Sequence, residues 1–115
     1  GGKMGILIRF KDTFSQCWSR VDLPNGDPIW ISIARSSVKI KKSKLGITGA
    51  VLYKSKDLDK ITKLGVQLLS SLNEFNTPVN LENFLLKVFT QLALESSTIE
   101  EFCSRILLAE KEAGI

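Results

Sequence analysis

The spacing of hydrophobic residues changes about midway along this chain. In the first half they alternate. Ile6, Ile8 and Phe10 stand against Leu7, Arg9 and Lys11. Cys17, Ser19, Val21 and Leu23 share one parity, with Trp18, Arg20 and Asp22 on the other. Ile29, Ile31 and Ile33 then alternate with Trp30, Ser32 and Ala34. A period of two is that of strands with one face on a core. "KDTFS" (11–15) reads as a connection, and "LPNGDP" (23–28) as a hairpin loop, where Pro24 presets φ for a turn and Gly26 supplies a positive φ.

The alternation then slips. Ile29, Ile31 and Ile33 are odd-numbered, whereas Val38 and Ile40 are even-numbered. One unbroken strand cannot bury both sets on the same face. Either "ARSS" (34–37) is a turn between two strands, or it holds a β-bulge that bends one long strand around a corner. "LGITGAVLYK" (45–54) reads as the last strand, with Gly46 at a turn exit and Gly49 where the strand curves tightly.

The second half has helical spacing. Leu58, Ile61, Leu64, Leu68, Leu72 and Phe75 form one stripe behind a cap at Ser55 or Asp57. Gly65, in mid-helix, marks close packing or a weak point. "NTPVN" (76–80) breaks the pattern at Pro78. Asn80 caps a second helix with Leu81, Phe84, Leu85, Val88, Phe89 and Leu92 on one side. "ESST" (95–98) interrupts, offering Ser97 with Glu100 or Thr98 with Glu101 as a capping box. Ile99, Phe102, Cys103, Ile106 and Leu107 line the third helix, and Gly114 suits the position just past its end. Strands followed by helices predict an α+β protein. The expected architecture is a small antiparallel, strongly bent sheet or SH3-like half-barrel of four or five strands (residues 4–54) and three helices (56–113) in a single domain, 1–115. Gly1–Lys3 are set aside, with Met4 as the expected natural start. The helices carry more apolar surface than one small sheet can cover, so a homodimer stands beside a monomer as an expectation.

Composition narrows the functional classes. The 115 residues are 43% hydrophobic and 24% charged, which is ordinary for a globular domain. No apolar run reaches the length of a membrane span, and the N-terminus lacks a signal-peptide layout. A cytoplasmic protein without membrane contact is the expectation. The chain has no histidine, and its two cysteines, Cys17 and Cys103, are not in a C-x-x-C arrangement. This removes most zinc sites and the usual general base, and no P-loop, nucleophile elbow or dinucleotide fingerprint is present. Asp12, Asp22 and Asp27 read as turn and strand-surface residues rather than as a carboxylate pair or a Mg²⁺ site. A non-enzymatic protein with neither cofactor nor metal follows. Two separate buried thiols are favoured over a Cys17–Cys103 disulfide.

Charge adds a direction. The net charge is +4, but residues 1–56 carry eleven Lys/Arg and three acids, whereas residues 57–115 carry five Lys/Arg and nine acids. A basic β half points to an anionic partner: DNA or RNA, or an acidic protein. The densest cluster is "SSVKIKKSKLG" (36–46), where Lys39 and Lys41 share a strand face opposite Val38 and Ile40 and Lys42 and Lys44 fall in a turn. Arg35, Lys39, Lys41, Lys42 and Lys44 are therefore the candidate phosphate contacts, with Arg20 and Trp18 beside them. Lysines on an exposed strand also serve to block edge-to-edge aggregation. A helix-turn-helix reading of 81–113 fails on charge, because its second helix carries Glu100, Glu101, Glu110 and Glu112. Gly46 to Gly49 spell GXXG, but in a strand rather than between helices. The alternative to nucleic-acid binding is an assembly factor that dimerises through its apolar helices.

Overall fold

The computed structural model describes residues 8–11, 16–42, 50–73 and 80–115. Five strands come first: β1 (Ile8–Lys11), β2 (Cys17–Asp22), β3 (Pro28–Ala34), β4 (Ser37–Lys41) and β5 (Val51–Ser55). Three helices follow: α1 (Leu58–Leu69), α2 (Leu81–Leu94) and α3 (Ile99–Glu112). The strands form one antiparallel sheet in the order β1-β2-β3-β4-β5, so each pairs only with its neighbours in sequence. This is the expected α+β layout, and the sheet is an open meander. Gly46, Gly49, Phe75 and Pro78 lie outside the described residues.

The parity slip is a turn. Ala34 pairs with Ser37, leaving Arg35 and Ser36 as a two-residue connection. Such a loop makes each pair one odd and one even position, so Ile31 faces Ile40 and Ile33 faces Val38. The two apolar sets thus meet on one face without a bulge in β3. The bulge lies one strand further on, between Ile40 and Lys41, where Lys41 pairs with Val51 and Ile40 with Tyr53. The loop before β3 behaves as its residues demand. Gly26 has φ +93°, Leu23 and Asp27 close the loop through their backbones at 2.8 Å, and the Asp27 amide donates to the Asn25 side chain at 2.9 Å.

Val21, Ile29, Ile31, Val38 and Ile40 from the sheet join Ile61, Leu64, Leu68, Leu85, Val88, Phe89, Leu92, Phe102 and Ile106 from the helices in one buried cluster. Each such side chain contributes about 1.5–3 kcal/mol through the water it sheds. The helices therefore cover the isoleucine face. Leu107 departs from the expectation and is 65% exposed. The buried stripe of α3 runs through Phe102, Ile106 and Ala109, which turns Leu107 outward. Leu58, in the first turn of α1, is also exposed. Among the described residues no helix is long and apolar enough to cross a membrane.

The helix ends follow local chemistry. Asp57, Asn80 and Thr98 are the N-caps, each accepting a backbone amide three residues on. Glu101 reaches back to the Ser97 amide at 2.8 Å, one residue before the cap. Helix α1 stops at Leu69, short of the expected stripe through Leu72 and Phe75. There the Ser70 and Ser71 hydroxyls donate to the carbonyls of Gln67 (2.7 Å) and Leu68 (2.8 Å), competing with continued helix. Gly114 has φ +74°, with Gly114 and Ile115 amides donating to Lys111 and Glu110 carbonyls, a Schellman ending. Arg105 of α3 donates to the Glu95 carbonyl at the end of α2 (3.1 Å) and to the Ser71 carbonyl after α1 (3.0 Å). One cation thus serves the negative ends of two helices.

Gly65 marks close packing. A Cβ there would come within 2.9 Å of Leu85 Cδ2 and Phe84 Cε2, at the α1–α2 contact. Gly65→Ala gains about 1 kcal/mol of helix propensity and incurs about 1–3 kcal/mol of overpacking. The expected outcome is a net loss of about 1 kcal/mol, measured as a lower denaturant midpoint at unchanged slope; an increase in stability would show that the helices part freely at this point.

Candidate functional site

The face of the sheet turned away from the helices is built from two registered rows. Arg20, Trp30 and Lys41 stand side by side on β2, β3 and β4. In the next row Ser32 pairs with Lys39, and Lys39 pairs in turn with Lys54 on β5. On β1, Phe10 stands opposite Trp18. This arrangement follows from strict alternation: burying the isoleucines on one side sends Trp18, Arg20, Trp30, Lys39 and Lys41 to the other. Lys39 and Lys41 therefore point away from the acidic helices.

The tryptophans do not form an open platform. Trp18 is 1% exposed and Trp30 6%, and both stand outside the main core cluster. Lys41 Nζ lies 5.7 Å from the Trp18 ring centre, and the Arg20 guanidinium carbon 5.7 Å from that of Trp30. A cation at this distance is attracted to the electron-rich ring face, by about 0.5–2 kcal/mol depending on its hydration. Lys41 is only 9% exposed, so it belongs to the support of this face more than to its surface. Gln16 Nε2 donates to Ser32 Oγ at 3.1 Å on β3. Arg20 is further held by Asp22, at 2.9 Å in a partly exposed pair.

The predicted contact residues thus divide. Lys39 is half-buried, and Lys42 and Arg35 are exposed. Arg20 is half-exposed and engaged by Asp22 and Trp30. Trp18 and Lys41 are buried, so the Trp18 ring presents no free face on which a base could stack in this conformation. Lys44 lies outside the described residues. Sequence reasoning missed Lys54, which only the β4–β5 register brings opposite Lys39. Like charges directly opposite on paired strands repel, and neither lysine makes an ion pair among the described residues.

Lys42 parts from the other lysines. It shares the parity of Ile40, and its amide donates to the Ala50 carbonyl at 3.1 Å. Its charge is felt at Cys103 on α3: burial raises the thiol pKa, Glu100 raises it further, and Lys42 opposes both. Both cysteines are free thiols, but Cys17 is exposed, against the expectation of two buried ones. Burial also raises the pKa of Tyr53, whose ring lies 6.0 Å from that of Phe89 beneath β5; Glu110 adds to the shift and a hydrogen bond with Ser55 opposes it. Asp22 and Asp27 are occupied by Arg20 and Asn25. Among the described residues no three of His, Cys, Asp and Glu gather as metal ligands.

No protein-family model matches the chain, and neither a curated protein nor a solved structure matches it.

The placement of Lys42 has a chemical readout. Because the thiolate is the reactive form, removing a charge that favours it slows the reaction. At mildly alkaline pH Cys17 is expected to be alkylated first, and Lys42→Gln to slow Cys103 without changing Cys17, as followed by peptide mass spectrometry. An unchanged Cys103 rate would place Lys42 too far from α3 to act on it.

Proposed function

We propose that this is a non-enzymatic binding protein whose basic β surface engages a polyanion, in the first place nucleic acid, without strong sequence specificity. The observation that carries this reading is the Lys39–Lys54 pair: two lysines in register across β4 and β5, on the face turned from the helices, with no acid paired to either among the described residues. A row of phosphates would neutralise the two charges and release counterions on binding. Lys39, Lys54 and Arg35 carry the contacts in this proposal, with Arg20 at the border; Lys42, on the parity of Ile40, stands apart from them, and Lys44 joins them by sequence alone. Lys41 and Trp18 act beneath, as the packed support of that surface.

Fluorescence anisotropy with labelled oligonucleotides across a salt series tests the proposal. Binding at low salt is expected to weaken steeply as salt rises. Lys39→Ala/Lys54→Ala should reduce the slope of log K against log salt by roughly 2. Lys87→Ala, on the exposed side of α2, should leave it unchanged. Absence of binding at low salt would refute the reading.

A second reading has its own observation. Val66 is 58% exposed, Leu107 65% and Leu108 56%, on the two helices α1 and α3 that pack together. An assembly factor that dimerises through these helices and meets an acidic protein with its sheet would use both surfaces. Light scattering is expected to give a dimer mass that falls to a monomer's with Val66→Glu/Leu108→Glu. A monomer at every concentration would remove this second reading.

A further inference from the structure

The β3–β4 turn holds an arginine where a glycine or asparagine belongs. Arg35 has φ +50°, and it is the one non-glycine residue in the left-handed region among the described residues. It is the first of the two central residues between Ala34 and Ser37. Two-residue hairpin turns that need a positive φ there are dominated by Gly, Asn and Asp, because a Cβ crowds the following carbonyl. The turn is nevertheless fixed in place. The Arg35 amide donates to Glu82 Oε1 in the first turn of α2 at 3.0 Å. The Glu82 carboxylate is thus engaged by the backbone, and the Arg35 side chain is exposed, with neither an ion pair nor a side-chain hydrogen bond among the described residues. An unfavourable conformation, anchored by Glu82, projects an exposed fork of donors from a hairpin tip. Strain of this kind persists where the surroundings impose it, and function is a usual reason.

Two further facts narrow the ligand. Trp18 and Trp30 are buried, so neither ring offers single-stranded bases a stacking platform. Lys39 lies four residues from Arg35 on β4, roughly 10 Å back along the hairpin by the rise of a strand. We infer that the polyanion is duplex DNA, with the Arg35 side chain in the minor groove and Lys39 and Lys54 on the adjoining phosphates. A narrow A·T-rich minor groove has an enhanced negative potential that attracts arginine. A-form RNA has a wide, shallow minor groove that lacks this attraction. The inference rests on the proposed nucleic-acid function and adds its substrate class and the residue that discriminates.

The test compares four labelled probes at low salt: an A-tract DNA duplex, a G·C DNA duplex, an RNA duplex and oligo-dT. Wild type is expected to bind the A-tract duplex roughly tenfold tighter than the others. Arg35→Gly and Arg35→Asn, whose residues tolerate the left-handed turn, should erase that preference while the melting temperature holds or rises by up to about 4 °C. Equal affinity of wild type for all four probes, or an A-tract preference that survives both substitutions, would overturn the inference and leave the general polyanion reading standing. Failure of every probe to bind would remove both.

Discussion

The two-residue turn at Arg35 and Ser36 sets the logic of the whole molecule. An antiparallel pair joined by an even-length loop exchanges odd for even positions, and here that exchange brings Val38 and Ile40 to the face of Ile29, Ile31 and Ile33. Everything that packs on the sheet depends on this alignment. One residue more or less in the turn would move the β4 isoleucine and valine to the other side, and the helices would meet lysines. The Glu82 carboxylate holding the Arg35 amide therefore ties the first turn of α2 to the element that defines the face α2 covers.

The same alternation creates the second face. Once the aliphatic residues are committed to the helices, Trp18, Trp30, Arg20, Lys39 and Lys41 share the reverse side of the sheet. Two large rings there need cover, and long cationic side chains supply part of it, since their stems are apolar and their charged ends are drawn to the indole faces. Lys41 and Arg20 are consequently half structural. The cations not engaged by the rings are those further along the rows, Lys39 and Lys54, together with the turn arginine.

Much of the fold was legible in the sequence because it is governed by local rules. Period-two and helical spacing located the strands and helices, and Asp57, Asn80, Thr98, Gly26 and Gly114 act as their side chains or backbone freedom require. The parity slip at Ala34–Ser37 was visible, and the structure resolved it as a turn. The candidate site was less legible, for non-local reasons. Lys54 is fifteen positions from Lys39 and meets it only through strand pairing that contains a bulge. Trp18 shares a strand parity with Arg20 and Asp22, which puts it beside a basic surface in sequence, yet its burial depends on what the strands beside it contribute. The strain at Arg35 has no sequence signature, since a left-handed arginine looks like any other in a turn.

Arg105 carries a consequence for the order in which the structure is completed. During synthesis α1 and α2 leave the ribosome before α3, so the carbonyls of Ser71 and Glu95 must be hydrated until Arg105 arrives. The meander, by contrast, pairs each strand with the one just made and can mature as it emerges. Helix α3 is therefore a clasp: the Asn73 amide already ties the end of α1 to the Glu95 carboxylate at the end of α2, and α3 adds one cation across both when it docks.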